Sequence, residues 1–247
     1  MSNRRRFLLL LDYDGTLAPI RPTPELARLD PGIRRLLRRL SRRGGMQLGF
    51  ISGRSLSELR KMVGVPGAVY AGNHGYELEG PGIRFTHPKA QSVSPVLARI
   101  ASKLRRALRA IPGAWVESKR LSLSVHWRKV SAAHEAGFHR AVLRTVAPWI
   151  AKGRVRITPG KRVVEVRPPA AWNKGAVVAW LMRAYGCPRG GVLYAGDDWT
   201  DEDAFRVVNR VHGISIFVGP PVTTAARWRV RGPKQMHRLL RQFEEHA

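Results

Sequence analysis

Seven aspartates occur in a chain of 247 residues, and six of them fall in two short segments. Asp12 and Asp14 stand two apart in LLLLDYDGTL (8–17), and Asp197, Asp198, Asp201 and Asp203 share GDDWTDED (196–203). Side-by-side carboxylates are unfavourable unless a cation neutralises them. A single Asp at a strand end reads as a turn cap; a pair followed by Gly15 and Thr16 points to a nucleophile or a metal ligand. A hard, oxygen-ligated ion such as Mg²⁺ suits the pair, because it takes one or two carboxylates and keeps waters and substrate phosphate as its other ligands. Two further groups complete a phosphoryl-transfer set. Ser52, followed by Gly53 and Arg54, offers a hydroxyl and backbone N–H groups to phosphate oxygens. Lys174, followed by Gly175 at a predicted helix start, offers a cation where the helix dipole already favours anions. Alone, Ser52 reads as a turn residue and Lys174 as a surface one; in this order they supply phosphate cradle and cation.

The hydrophobic pattern predicts the elements that hold these groups. Residues 7–11 are a short continuous apolar run, as in a strand buried on both faces of a parallel sheet. In 31–43 the apolar residues Ile33, Leu36, Leu37 and Leu40 recur at i, i+3, i+4 and i+7, an amphipathic helix stopped by Gly44 and Gly45. A strand at 46–51, a helix at 55–62 and a strand at 69–71 come next, the last running into the turn GNHG. From Asn173 the alternation resumes, with helices at 174–185 and 201–209, strands at 191–195 and 213–218, and a closing helix at 233–245. Strands alternating with helices imply a doubly wound α/β parallel sheet of Rossmann-like type, whose ligands collect at the carboxyl ends of the strands. Asp12, Ser52 and Gly72 all sit just past such ends. Between the two halves the pattern changes to helices at 95–111 and 131–150 and alternating strands at 121–128 and 162–167. This reads as an inserted α+β cap domain at 79–168, with core segments at 1–78 and 169–247.

Composition excludes several classes. With 44% apolar and 25% charged residues the chain is an ordinary globular one. NRRRFLLLLDY imitates a secretory signal, but Asp12 interrupts the apolar run too early, and no run approaches the 18 or so residues of a membrane span. A single Cys187 excludes an intramolecular disulfide and fits a cytoplasmic location. The formal net charge of +27 resembles a nucleic-acid binder's. The basic residues are spread along the chain, however, and are 35 Arg to nine Lys, a bias that genome composition alone can produce. A small anionic substrate is the expected partner, with no specific nucleic acid, no membrane and a monomeric state.

DYDGTLAPI, ISGRSLSEL, the lysine of NKG and GDDWTDED resemble, in order, the four motifs of haloacid-dehalogenase-like phosphatases. That resemblance implies Asp12 as the nucleophile of an aspartyl-phosphate intermediate and Asp14 as the general acid and then base. It also implies Mg²⁺ held by Asp12, the Asp14 carbonyl and Asp197, with Asp198 or Asp201 in support. Three further segments, AGNHGYEL (71–78), VESKRLSLSVHWR (116–128) and GKRVVEVRP (160–168), resemble trehalose-6-phosphate phosphatases. They imply Glu117, Lys119, Arg128, Lys161 and Glu165 as sugar-binding groups of the cap, with His74 and Gly75 at the core edge. Trp127 departs from the pattern, which has Tyr there; the ring is kept and the hydroxyl lost. No synthase-like region accompanies the motifs, so a stand-alone phosphatase is expected. The alternatives are a phosphatase for sucrose phosphate or mannosyl-phosphoglycerate, or an inactive basic RNA-binding protein.

Overall fold

The computed structural model describes residues 6–21, 26–160 and 162–246. In chain order its elements are β1 (Phe7–Leu11), α1 (Pro31–Leu40), β2 (Met46–Ile51), α2 (Leu56–Val63), β3 (Val69–Gly72), β4 (Glu77–Gly80) and β5 (Ile83–Thr86). Then come α3 (Pro88–Ala107), β6 (Trp115–Ser118), β7 (Leu123–His126), α4 (Ala132–Ala151), β8 (Arg156–Gly160) and β9 (Val163–Arg167). The chain ends with α5 (Lys174–Ala184), β10 (Val192–Gly196), α6 (Glu202–Arg210), β11 (Ile214–Val218), β12 (Trp228–Val230) and α7 (Pro233–His246). They form two compact units, one of residues up to Phe85 and from Trp172 onward, the other Thr86–Ala171.

In the first unit the strands run β12-β11-β10-β1-β2-β3-β4-β5, parallel from β12 to β3, with β4 antiparallel to β3. Central β1 has water on neither face. Leu9 and Leu11 pack with Ile33, Leu37 and Leu40 of α1, Leu59 of α2 and Met236 of α7. Leu8 and Leu10 pack on the other side with Val177 and Leu181 of α5 and Phe205 of α6. All four leucines are fully buried, about 1.5–3 kcal/mol each by area. Register then aligns the strand ends, because Leu11 lies opposite Ala195 of β10 and Phe50 of β2. The residues just past these three strands, Asp12, Ser52 and Asp197, therefore emerge at one edge of the sheet.

The second unit is a four-stranded antiparallel sheet, β6-β7-β9-β8. Leu123, Val125, Val164 and Val166 alternate onto one face, against Leu97, Ile100 and Leu104 of α3 and Phe138, Val142 and Val146 of α4. Three boundaries differ from the sequence reading. Helix α3 starts at Pro88 and runs through Pro95, because buried Ala90, Val93 and Leu97 continue one apolar stripe across the proline. Strands β4 and β5 extend the first unit's sheet, so the chain leaves that unit at Thr86, not 79, and returns at Trp172, not 169.

Helix α1 begins with Asp30 as N-cap; its side chain accepts the Ile33 N–H at 3.0 Å and is held below the usual carboxylate range chiefly by that bond. Asp30→Ala should cost about 1 kcal/mol and lower the melting temperature by roughly 2–4 °C. The cap's contribution is present above the unfolded carboxylate's titration and is lost as pH falls through the lower folded value. Thermal unfolding of both proteins at pH 7 and near pH 3 checks this: the difference should shrink in acid.

Candidate active site

Asp12 follows β1 and is 4% exposed; its N–H donates to Ala195 O at 2.9 Å, which fixes it beside β10. Lys174 opens α5 after Asn173, whose side chain caps that helix by accepting the Ala176 N–H. The Lys174 ammonium, also 4% exposed, donates to Asp12 Oδ1 at 2.8 Å and to Asp201 Oδ1 at 2.6 Å. Asp201 is fully buried. Its Oδ1 also accepts the Tyr194 hydroxyl, and its Oδ2 accepts the N–H groups of Asp197 (3.1 Å) and Asp198 (2.9 Å). Four donors fill the carboxylate's four lone-pair sites, so Asp201 orients the loop 196–201. The two aspartate motifs meet at Gly15: a Cβ there would lie 2.1 Å from Asp197 Oδ2, and its φ of +86° is one that side chains resist.

Electrostatics at this point favour a further cation. Burial pushes the Asp12 carboxyl well above its ordinary value; Lys174 opposes this, while Asp201 and Asp197 add to it. Burial alone would depress Lys174, but the attraction of Asp12 and Asp201 and their hydrogen bonds hold its pKa above the ordinary value. Asp12, Asp197 and Asp201 bring carboxylate oxygens within 4.8 Å of one another; with the Asp201 lone pairs filled, Asp12 and Asp197 are the candidate ligands. One ammonium does not balance three carboxylates, and an acidic cluster of this kind suits a divalent ion.

The remaining core residues surround this centre. Ser52 Oγ accepts the Arg54 N–H at 3.2 Å. Arg54, 6% exposed, grips Asp14 by two bonds of 2.7 Å and lies over the Tyr13 ring. Its Nη1 also lies 3.5 Å from Glu58 Oε1, so the guanidinium is shared between the two carboxylates. His74 sits in a left-handed turn (φ 56°), its N–H on Ser52 O, and its ring covers Gly53, where a Cβ would lie 2.6 Å from the imidazole. Gly75 has φ +90°, and a Cβ there would come within 1.9 Å of Val177 Cγ2; Trp172 Nε1 donates to its carbonyl at 2.7 Å. The Asp198 side chain accepts from Trp199 N as a helix cap.

In the second unit a polar row crosses the sheet face opposite the helices: Glu117 lies beside Ser124, Ser124 beside Glu165 and Glu165 beside Thr158. Glu117 accepts from His126 at 2.8 Å and has Lys119 Nζ 3.8 Å away. Burial would raise the Glu117 carboxyl, yet the His126 bond and Lys119 hold it below the ordinary value. Glu165, 7% exposed, accepts from Arg167 Nε at 2.7 Å. Arg128 lies on the exposed turn after β7, and Lys161 lies outside the described residues. Sequence reading passed over four participants: Tyr194, His126, Arg167 and Trp115, which stacks on His126 with centroids 3.8 Å apart. Alternation gave a signal for His126, two positions from Ser124 on the polar face; Tyr194 sits inside an apolar strand and gave none.

Several known proteins are similar to this chain. The sequence model of the Trehalose-phosphatase family matches residues 10–234. A trehalose-phosphate phosphatase of Mycobacterium tuberculosis (strain ATCC 25618 / H37Rv) is 36% identical over 98% of this chain, which spans about 63% of that protein's length. A solved structure of a trehalose-6-phosphate phosphatase related protein superposes with a TM-score of 0.84 at 26% identity, covering 96% of this chain and 97% of that one. The C-terminal domain of a C. albicans trehalose-6-phosphate phosphatase gives 0.82 at 25% identity, covering 99% and 93%.

Removing one partner of a buried charge pair leaves the other uncompensated, at about 3–5 kcal/mol. Lys174→Met should therefore lower unfolding stability by that amount at pH 7 in EDTA. Urea titration followed by circular dichroism measures it, and a loss under about 1 kcal/mol would mean that Lys174 does not neutralise Asp12 and Asp201.

Proposed function

The chain belongs to the trehalose-phosphatase family, and on that premise we propose that it hydrolyses trehalose 6-phosphate to trehalose and phosphate. The observation that carries this reading is the buried Lys174 ammonium between Asp12 and Asp201, at the edge where Ser52 and Asp197 also emerge. In the proposed reaction an Asp12 carboxylate oxygen attacks phosphorus while the phosphorus–oxygen bond to the sugar breaks. Asp14 gives its proton to the leaving oxygen, then takes one from the water that attacks phosphorus and frees phosphate and Asp12. Arg54 holds both Asp14 oxygens by its two-pronged bond, so in this proposal one of the two bonds gives way when Asp14 takes up its proton. Ser52, the Gly53 N–H and Lys174 are the proposed phosphate donors.

A divalent ion, Mg²⁺ in this proposal, would be held by Asp12, Asp197 and the Asp14 carbonyl and would offset the charge of the arriving phosphate. Asp201 keeps that loop and Lys174 in place, and Asp198 supports it as a cap. His74 and Gly75 form the turn beside Ser52. Glu117, Lys119 and Glu165, with Arg128 and Lys161, are proposed to bind sugar hydroxyls, for which charged groups give strong, directional hydrogen bonds. The single cysteine, Cys187, fits a cytoplasmic setting for this reaction.

Phosphate release across a panel of sugar phosphates tests the substrate: trehalose 6-phosphate should be fastest, EDTA should abolish turnover and Mg²⁺ should restore it. Asp12→Asn should keep the fold and lose activity by several orders of magnitude, because an amide does not attack phosphorus. Glu117→Gln should lower kcat/KM for trehalose 6-phosphate about tenfold to a hundredfold, the worth of one charge-assisted bond, and spare p-nitrophenyl phosphate. Equal losses on both substrates would make Glu117 a structural residue, and no loss on either would remove it from the sugar site.

A further inference from the structure

Along the sequence the basic residues look evenly spread; the fold gathers them. Residues 86–171 contain 18 Lys and Arg against three Glu, so this unit has +15 of the chain's +27 in about a third of its length. All three glutamates are engaged within the unit: Glu117 with His126, Glu165 with Arg167, and Glu135 with Arg162. None of them balances the charge between α3 and α4. There a groove of about 510 Å³ is lined by Lys103 and Arg106 of α3 and by Arg144, Pro148, Trp149 and Lys152 on and just after α4. The four cations are exposed, and none has a carboxylate within ion-pair distance among the described residues. Lys103 Nζ lies 5.1 Å from the centre of the Trp149 ring. The helices repeat the pattern toward their N-terminal ends, with Arg99 four residues before Lys103 and Arg140 four before Arg144. Like charges at that spacing destabilise a helix, and of the groove's cations only Arg106, in the last turn of α3, and Lys152, just after α4, are accounted for by the helix dipole.

We infer that this groove is a sequence-independent binding surface for the phosphate backbone of a nucleic acid, separate from the phosphatase site. The lining selects among polyanions. A protein partner of ordinary affinity needs an apolar centre to its interface, and here Trp149 is half-buried and Pro148 is the other sizeable apolar group. A membrane surface needs protruding apolar side chains beside the cations; α4 exposes Leu143 and Ile150, but neither lines the groove, which is concave. Nucleic-acid interfaces are polar and strongly positive. The groove holds no Asn, Gln, Asp or Glu, the groups that read adenine and cytosine edges, and contacts of its cations with phosphates carry no sequence information.

The test compares two fourfold variants of the full chain that lower net charge equally. One is Lys103→Gln, Arg106→Gln, Arg144→Gln and Lys152→Gln. The other removes four exposed arginines of the first unit, Arg35→Gln, Arg42→Gln, Arg229→Gln and Arg238→Gln. Fluorescence anisotropy with a mixed-sequence 20-nucleotide DNA strand and its duplex is read from 50 to 200 mM salt. Each phosphate contact contributes a slope of about −0.7 to −0.9 in log K against log salt. The groove variant should therefore lose about three units of slope and roughly a thousandfold in affinity near 0.1 M salt. The first-unit variant should stay within about tenfold of the parent, and all three proteins should hydrolyse phosphate esters equally. Equal losses in the two variants would make binding a bulk-charge effect and overturn the proposal. So would failure of the parent to bind either DNA at 100 mM salt, or groove-dependent binding to phosphatidylserine vesicles without DNA binding.

Discussion

The arrangement on which this protein depends is the Lys174 ammonium buried between two carboxylates, with Asp12 at 2.8 Å and Asp201 at 2.6 Å. Desolvating three charges costs several kcal/mol per ion, and attraction repays it only where geometry and extra hydrogen bonds are good. The chain supplies both from distant segments. Parallel register sets Asp12 beside β10, and Tyr194 and two backbone N–H groups complete the shell of Asp201. Helix α5 must therefore begin where it does, against α6: Gly175 approaches so closely that a Cβ would meet Asp203 O at 2.5 Å, while Asn173 Nδ2 donates to Asp203 Oδ2 at 2.8 Å.

Around that centre the loop after β1 is tied down by groups that do no chemistry in the proposed reaction. The Tyr13 hydroxyl donates to Ala27 O, and burial with the nearby Asp14 pushes its pKa to about 12, so it remains a donor at any working pH. His237 of α7 meets Leu17 O at 2.8 Å. The C-terminal helix thus touches the aspartate loop 220 residues away in sequence, and within that loop the N–H groups of Gly15, Leu17 and Ala18 bond to Ala18 O and Tyr13 O. Trp172 does the same for the turn at Gly75. A nucleophile positioned by packed, hydrogen-bonded neighbours needs little reorganisation when its substrate arrives.

Local pattern decided what was legible. The buried strands β1, β2, β10 and β11 and the amphipathic α1 read directly from continuous or 3.6-periodic apolar residues, and with them the edge that gathers Asp12, Ser52 and Asp197. Strands β4, β5, β6, β8 and β12 are three to five residues long and mostly part-exposed, too short for a period to show. The division of labour among the aspartates was legible as a set but not singly. Asp198 and Asp201 look equivalent in GDDWTDED, yet Asp201 turns inward to four donors while Asp198 caps the next turn. Arg54, expected beside the phosphate, also holds Asp14, a partner 40 residues away that no local pattern names.

Charge is partitioned as sharply as apolarity. On one face of the second unit's sheet, cations and carboxylates pair into a row whose charges largely cancel; on the other, the groove between α3 and α4 gathers four cations without an acid. A screening length of about 8 Å at physiological salt is shorter than the thickness of a helix layer on a sheet, near 10 Å. Charges beyond the helices therefore add little to the potential felt at the polar row, and capture of an anionic sugar phosphate there does not explain them. Nor does solubility, which a few scattered charges secure without repeating like charges at i, i+4 along two neighbouring helices. A stripe that destabilises its own helices and lies too far from the polar row to act there is accounted for by a separate contact with a separate anion.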